Sequence, residues 1–116
     1  MLDKILSKDL PVITLCGSIR FKEEFIKVKE SFENKGCLVL MPIFFNDSLT
    51  KKQSFFKLKD SLYDIHKEKI KACDLVYVIN KYGYVGSDTL KEIAYAKSLK
   101  KPIIYLETTC IYTKDI

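Results

Sequence analysis

The stretch that decides the fold is 11-PVITLCGSIRF-21. Six residues, 11–16, are almost wholly apolar, the pattern of a strand covered on both faces. The run stops at Gly17-Ser18, and Phe21, Phe25, Val28 and Phe32 follow at spacings of four, three and four. That is the stripe of an amphipathic helix, closed by Asn34-Lys35-Gly36. A buried strand turning directly into a helix through a small, hydroxyl-bearing, arginine-flanked turn is the opening of a βαβ unit.

The pattern repeats. Residues 37–42, CLVLMP, form a second apolar strand ended by Pro42. Residues 43–56 have no clean period and read as a long loop, with or without a short helix, and loops of that length are commonly functional. A second helix runs through Leu58, Leu62, Ile65 and Cys73, then a third strand over 75–80. A turn-rich loop occupies 81–88, a third helix roughly 89–100 and a fourth strand 102–107; 110-CIYT-113 adds a short fifth edge strand. Strands alternating with helices predict a parallel sheet. The expectation is an α/β fold, a flavodoxin-like doubly wound three-layer sandwich with strand order 2-1-3-4. Ligands in such sheets sit beyond the carboxyl ends of the strands, at the switch point between the first and third.

Length and composition narrow the field. The chain of 116 residues is expected to be one domain, 1–116, able to bury about 65% of its unfolded surface. With 47% hydrophobic and 30% charged residues it reads as a soluble globule rather than a disordered tail. Twenty basic against fifteen acidic residues give +5, spread along helices without a concentrated stripe. That suits phosphate-bearing small molecules and does not call for nucleic acid. No apolar run approaches the ~18 residues needed to span a membrane, and the first ten residues do not read as a signal peptide. Cysteines 16, 37, 73 and 110 are far apart, with no zinc-type spacing; buried reduced thiols and a cytoplasmic location are expected, and no metal or redox cofactor.

The rim residues each have a bland reading and a functional one. Ser18 can simply cap helix one. Alternatively Gly17, Ser18, Ile19 and Arg20 together hold a phosphate, through free amides, a hydroxyl and a guanidinium. Dinucleotide and P-loop glycine patterns are missing. In 86-GSDTLKE-92, Thr89 and Glu92 have capping-box spacing. The functional reading makes Glu92 a first-turn carboxylate that the helix dipole keeps ionised, fit to act as a nucleophile or to steady an oxocarbenium-like sugar, with Asp88 one turn earlier holding a sugar hydroxyl or acting in proton transfer. His66, the only histidine, is either a boundary residue of helix two or its acid–base group. Asp74 is expected to be structural. Phe44, Phe45, Phe55, Phe56, Tyr82 and Tyr84 supply core packing or a slot that closes over a base.

The motifs LCGSIR at 15–20, KACDLVYVIN at 71–80 and GYVGSDTLKEIAYAKSLKKPIIYL at 83–106 resemble the nucleoside 2-deoxyribosyltransferase superfamily. Its members include nucleoside deoxyribosyltransferases and 2'-deoxynucleoside 5'-monophosphate N-glycosidases. The resemblance spans 12–107, and its specific parts are the first turn and the E-I-x-Y-A helix. It implies cleavage of an N-glycosidic bond through a glutamate-bound sugar, with Glu92 as the nucleophile. Ser18, with Arg20 beside it, falls on the phosphate-binding serine, and Ser87 or Asp88, after the candidate binding residue Gly86, on the loop holding sugar or phosphate. The family also implies a homodimer or larger homo-oligomer, a nucleoside or nucleotide as partner, and no cofactor. Two positions depart from it. His66 stands where the family carries an aspartate, and Thr14 where it carries a tyrosine. A histidine there could protonate or bind a leaving base. The alternatives left open are a non-catalytic nucleotide-binding module, a flavin protein, and cleavage of a dinucleotide such as NAD.

Overall fold

Strand β1 (Val12–Gly17) lies between two parallel neighbours, and its four inner residues are buried. Its side chains alternate between two cores, as the two-residue period of a strand requires. Ile13 and Leu15 join Phe25, Phe32 and Val39 on one face, while Cys16 joins Ile70, Val78, Ile93 and Ala96 on the other. Strand β3 (Leu75–Ile79) repeats the division, with Leu75 and Ile79 in the first core and Val76 and Val78 in the second. The computed structural model describes residues 2–43, 55–108 and 111–112, the segments 55–60 and 111–112 through their backbone alone.

Helices fill both faces. A short α1 (Leu2–Leu6), which the periodicity does not announce, places Leu2, Ile5 and Leu6 against the first core beside α2 (Lys22–Glu33). On the opposite face α3 (Phe55–Ala72) contributes Ile70 and α4 (Ser87–Ser98) contributes Ile93 and Ala96. With β2 (Leu38–Leu40) and β5 (Ile103–Tyr105), the four-stranded parallel sheet has the order β2-β1-β3-β5. Counting the sheet strands alone, this is the expected 2-1-3-4 arrangement of a flavodoxin-like three-layer sandwich.

Three details differ from the sequence reading. The tail strand β6 (Ile111–Tyr112) does not extend the main sheet; it pairs in parallel with β4 (Tyr84–Val85). After β3 the chain leaves the sheet through a turn in which Tyr82 and Gly83 both have positive φ, 61° and 78°, so β4 offers a separate edge. Helix α3 starts at Phe55, within the stretch read as loop; Phe44, Phe45 and most of that loop lie outside the described residues, as do the side chains of Phe55 and Phe56. Helix α4 begins at Ser87, two residues early, with Gly86 as N-cap and no side-chain cap. Thr89 and Glu92 therefore sit inside the helix, and the capping box does not form. Thr89, Ile93 and Ala96 are buried on the inner face, and Glu92 is carried inward with them.

Asp74 is structural, as expected. Its carboxylate accepts from the amide of Val12 at 2.9 Å and from Lys8, tying the start of β1 to the start of β3. At the other end of β3, Lys81 donates to Glu24 at 3.0 Å and fixes the following turn to α2.

Candidate active site

The site grows from the carboxyl end of β1. Gly17 has φ 153°, and a Cβ there would stand 2.7 Å from the Ile79 carbonyl and 3.2 Å from the Phe25 ring. No side chain fits, so β1 and β3 close together at their ends and the backbone turns abruptly into Ser18. The Ser18 hydroxyl accepts from the Arg20 amide at 3.3 Å and caps a single 3-10 turn, Ile19–Phe21, that leads into α2. Accepting that bond leaves the hydroxyl's own O–H free to donate. Ile19 and Arg20 are exposed.

Tyr84 meets this turn from the other side. Its ring lies under the Arg20 guanidinium at 4.5 Å and edge-on to Phe21 at 5.9 Å. Gly86 lets the Tyr84 hydroxyl pass close, since a Cβ there would come within 2.9 Å of it. The fold thus joins Gly17–Arg20 to Tyr84–Gly86, segments more than 60 residues apart in sequence. Ser87 and Asp88 follow, exposed, on the first turn of α4. Tyr82 stands apart, 73% exposed, its amide held by the Glu107 carboxylate.

One helical turn below Asp88 a second cluster is buried. His66 of α3 is 4% exposed and points Nε2 at Cys16 Sγ, 3.4 Å away, and at Glu92 Oε2, 3.6 Å away. Its Nδ1 has no hydrogen-bond partner among the described residues. Burial, reinforced by the charge of Asp88, pushes the Glu92 carboxyl up to about 8, although the Cys16 hydrogen bond pulls the other way. Burial, with the Lys69 charge adding to it, pulls the His66 imidazole down to about 4. The Cys16 thiol is raised as well, by burial first and by Glu92 second. At neutral pH the contact therefore joins two uncharged groups and is no ion pair. This corrects the expectation of a dipole-stabilised carboxylate: the cost of desolvating a charge outweighs the ~1 kcal/mol that a helix start supplies.

Thr14 is fully buried and its hydroxyl donates to the Lys69 carbonyl at 2.8 Å, so it serves the packing of α3 on β1. Lys69 itself reaches the Met41 carbonyl at 2.7 Å. Cys37 and Cys73 are free and buried, like Cys16; Cys110 lies outside the described residues. Sequence spacing shows no group of potential ligands, yet Cys16, His66 and Glu92 bring their donor atoms within 4.8 Å of one another. Cys16 was legible only as a core thiol, and its place one residue before the Gly17 turn is the signal that marks it. A separate cleft of about 330 Å³, lined by residues including Glu24, Lys81 and Glu107, contains none of these groups.

Residues 14–105 match the family described as Domain of unknown function (DUF4406). The chain belongs to the DUF4406 family. The match begins inside β1 and ends with β5, so it takes in Cys16, the Ser18 turn, His66 and Glu92. No curated protein matches this DUF4406 sequence. Among solved structures it is similar to a 2-deoxyribosyltransferase from Bacillus psychrosaccharolyticus, at 17% identity and a TM-score of 0.62, over 90% of this chain and 86% of that one. At that identity the likeness establishes the fold: this DUF4406 domain has the 2-deoxyribosyltransferase architecture. No helix among the described residues is long and apolar enough to cross a membrane.

Proposed function

We propose that the chain cleaves or transfers at the N-glycosidic bond of a (deoxy)nucleoside or its 5'-monophosphate, with Glu92 as nucleophile. The observation that carries this reading is the buried Glu92–His66 contact at the carboxyl end of β1, at the switch point between β1 and β3. The likeness in fold to a protein described as a 2-deoxyribosyltransferase supports it.

Beyond the N–H of the neutral imidazole the pair holds one titrating proton, on Glu92 when the site is empty. As substrate fills the site, that proton passes to His66 Nε2, leaving a carboxylate beside an imidazolium. Positive charge building on the sugar stabilises the carboxylate, which attacks C1' as the bond to the base breaks. The bond's electron pair goes to the base nitrogen, and His66 supplies its proton there. A water or a second base then attacks C1', giving its proton to His66, and Glu92 leaves as the carboxylate. The Ser18 O–H, the Arg20 guanidinium and the turn amides of Gly17 and Ile19 hold the 5'-phosphate, while Ser87 or Asp88, next to Gly86, binds a sugar hydroxyl. Tyr84 covers the base; Tyr82, expected to share that role, stands apart beside Glu107 and takes no part. A homo-oligomer and a single domain belong to the same reading.

The test is release of free base from a panel of deoxyribo- and ribonucleosides and their 5'-monophosphates, comparing the native chain with Glu92→Gln. Release that falls by ~100-fold or more in the variant, about 2.7 kcal/mol of barrier, supports the reading. Nucleotide binding retained in both proteins with no release in either makes the chain a binding module, for which a neutral buried Glu92 is well suited.

A further inference from the structure

Three donors of different chemistry meet where β1, α3 and α4 converge. Cys16 Sγ, His66 Nε2 and a Glu92 carboxyl oxygen all lie within 4.8 Å of one another. The two shortest separations from the imidazole are 3.4 Å to the sulfur and 3.6 Å to the oxygen. A tetrahedral zinc ion with Zn–S near 2.3 Å and Zn–N and Zn–O near 2.0–2.1 Å sets its ligand atoms roughly 3.3–3.6 Å apart. The two separations from the imidazole match without any rearrangement of the ring, and the third, from sulfur to carboxyl oxygen, lies within 4.8 Å.

The setting also fits. Each ligand comes from a different element of the packed core, and Cys16 is wholly enclosed by it. Nδ1 of His66 has no hydrogen-bond partner among the described residues, and packing holds the ring, 4% exposed, with Nε2 toward the other two donors. Thiolate, imidazole and carboxylate together favour a thiophilic divalent ion over magnesium or calcium, which take oxygen ligands alone. Three ligands leave a fourth position, and Glu92 is the more exposed of the pair, its side chain at 13% against 6% for His66.

We propose that Cys16, His66 and Glu92 form a three-ligand site for one zinc-class divalent cation, whose binding occupies the reactive carboxylate and silences it. On binding, the cation replaces the thiol proton of Cys16 and the carboxyl proton of Glu92, which pass to solvent. The binding stands independently of the glycosidase reading; the silencing rests on it.

The experiment is titration of the chelator-treated full chain with cobalt(II), read as a thiolate-to-cobalt charge-transfer band and the strong visible bands of tetrahedral cobalt. One cobalt per chain, displaced by zinc, with the band lost in Cys16→Ser and in His66→Gln but kept in Cys37→Ser, is the expected result. Absence of the band in the native chain overturns the proposal. So does a band that survives in Cys16→Ser or in His66→Gln, each first confirmed as folded by circular dichroism. If Cys16→Ser does not fold, His66→Gln decides. Base release with and without zinc is measured in parallel: inhibition reversed by chelator is expected, and full activity with the site loaded overturns the silencing. Should no substrate be turned over at all, the cobalt spectrum still decides the site.

Discussion

Nε2 of His66 stands 3.6 Å from Oε2 of Glu92, and burial reverses the order in which the two groups ordinarily titrate. In water a glutamate loses its proton well below a histidine. Here the carboxyl holds its proton to about 8 and the imidazole takes one only near 4. Between those limits the pair carries one titrating proton and no net charge.

This order determines the pH profile. The proposed mechanism uses the singly protonated pair, so kcat/KM is expected to be level between about 4 and about 8. Above the upper limit the leaving base loses its proton donor, and below the lower limit the nucleophile is protonated beside a charged imidazole. The two limits are properties of the pair. Rates that keep climbing beyond the upper limit would show that an ionised Glu92 acts without a shared proton.

Stability responds to the same groups. Glu92 is raised in the folded state, so the folded chain holds a proton that the unfolded chain releases from about pH 4.5 upward, and stability falls as pH rises to about 8. His66 is lowered to about 4, so its contribution is present above the unfolded value near 6.5 and is lost as pH falls toward 4. The two offset in the acid range, and Glu92 acts alone from about 6.5 to 8. Over that window the native chain is expected to lose up to about 1.4 kcal/mol per pH unit, measured by urea unfolding, and Glu92→Gln should abolish the slope.

Arg20 tests the phosphate. Its guanidinium is exposed and held over Tyr84 at 4.5 Å, within reach of the Ser18 turn. Arg20→Ala is expected to raise KM for 5'-monophosphates by about 10–100-fold, the loss of one charge-assisted hydrogen bond, and to leave KM for nucleosides alone. Equal effects on both substrate classes would remove Arg20 from phosphate binding.

The two glycines that flank α2 should behave very differently. Gly17→Ala forces a methyl to within 2.7 Å of the Ile79 carbonyl at φ 153° and is expected to cost roughly 3 kcal/mol or more. Gly36 has φ 85° but nothing within 4 Å of an added Cβ, so Gly36→Ala should cost only about 1–2 kcal/mol, from backbone strain. Urea unfolding of both variants measures the difference, and equal losses would mean that crowding at Gly17 is relieved by a shift of β3.

Local pattern determined the four-stranded core of the architecture. The apolar runs at 11–16 and 75–80 are strands because both their faces are buried, and the stripe Phe21, Phe25, Val28, Phe32 is a helix because its spacing follows the helical turn. The Gly17-Ser18 turn and Asp74 were readable for the same reason: each serves neighbours close in sequence or in an adjacent strand. What tertiary structure decided is the meeting of Cys16, His66 and Glu92, residues 50 and 26 positions apart along the chain. It also decided that Glu92 turns inward rather than capping its own helix, because α4 starts at Ser87 and buries the face that Thr89 and Glu92 share. Charge state belongs to the same level. A carboxyl's preference for its proton depends on the water excluded around it, and only the packed fold sets that exclusion.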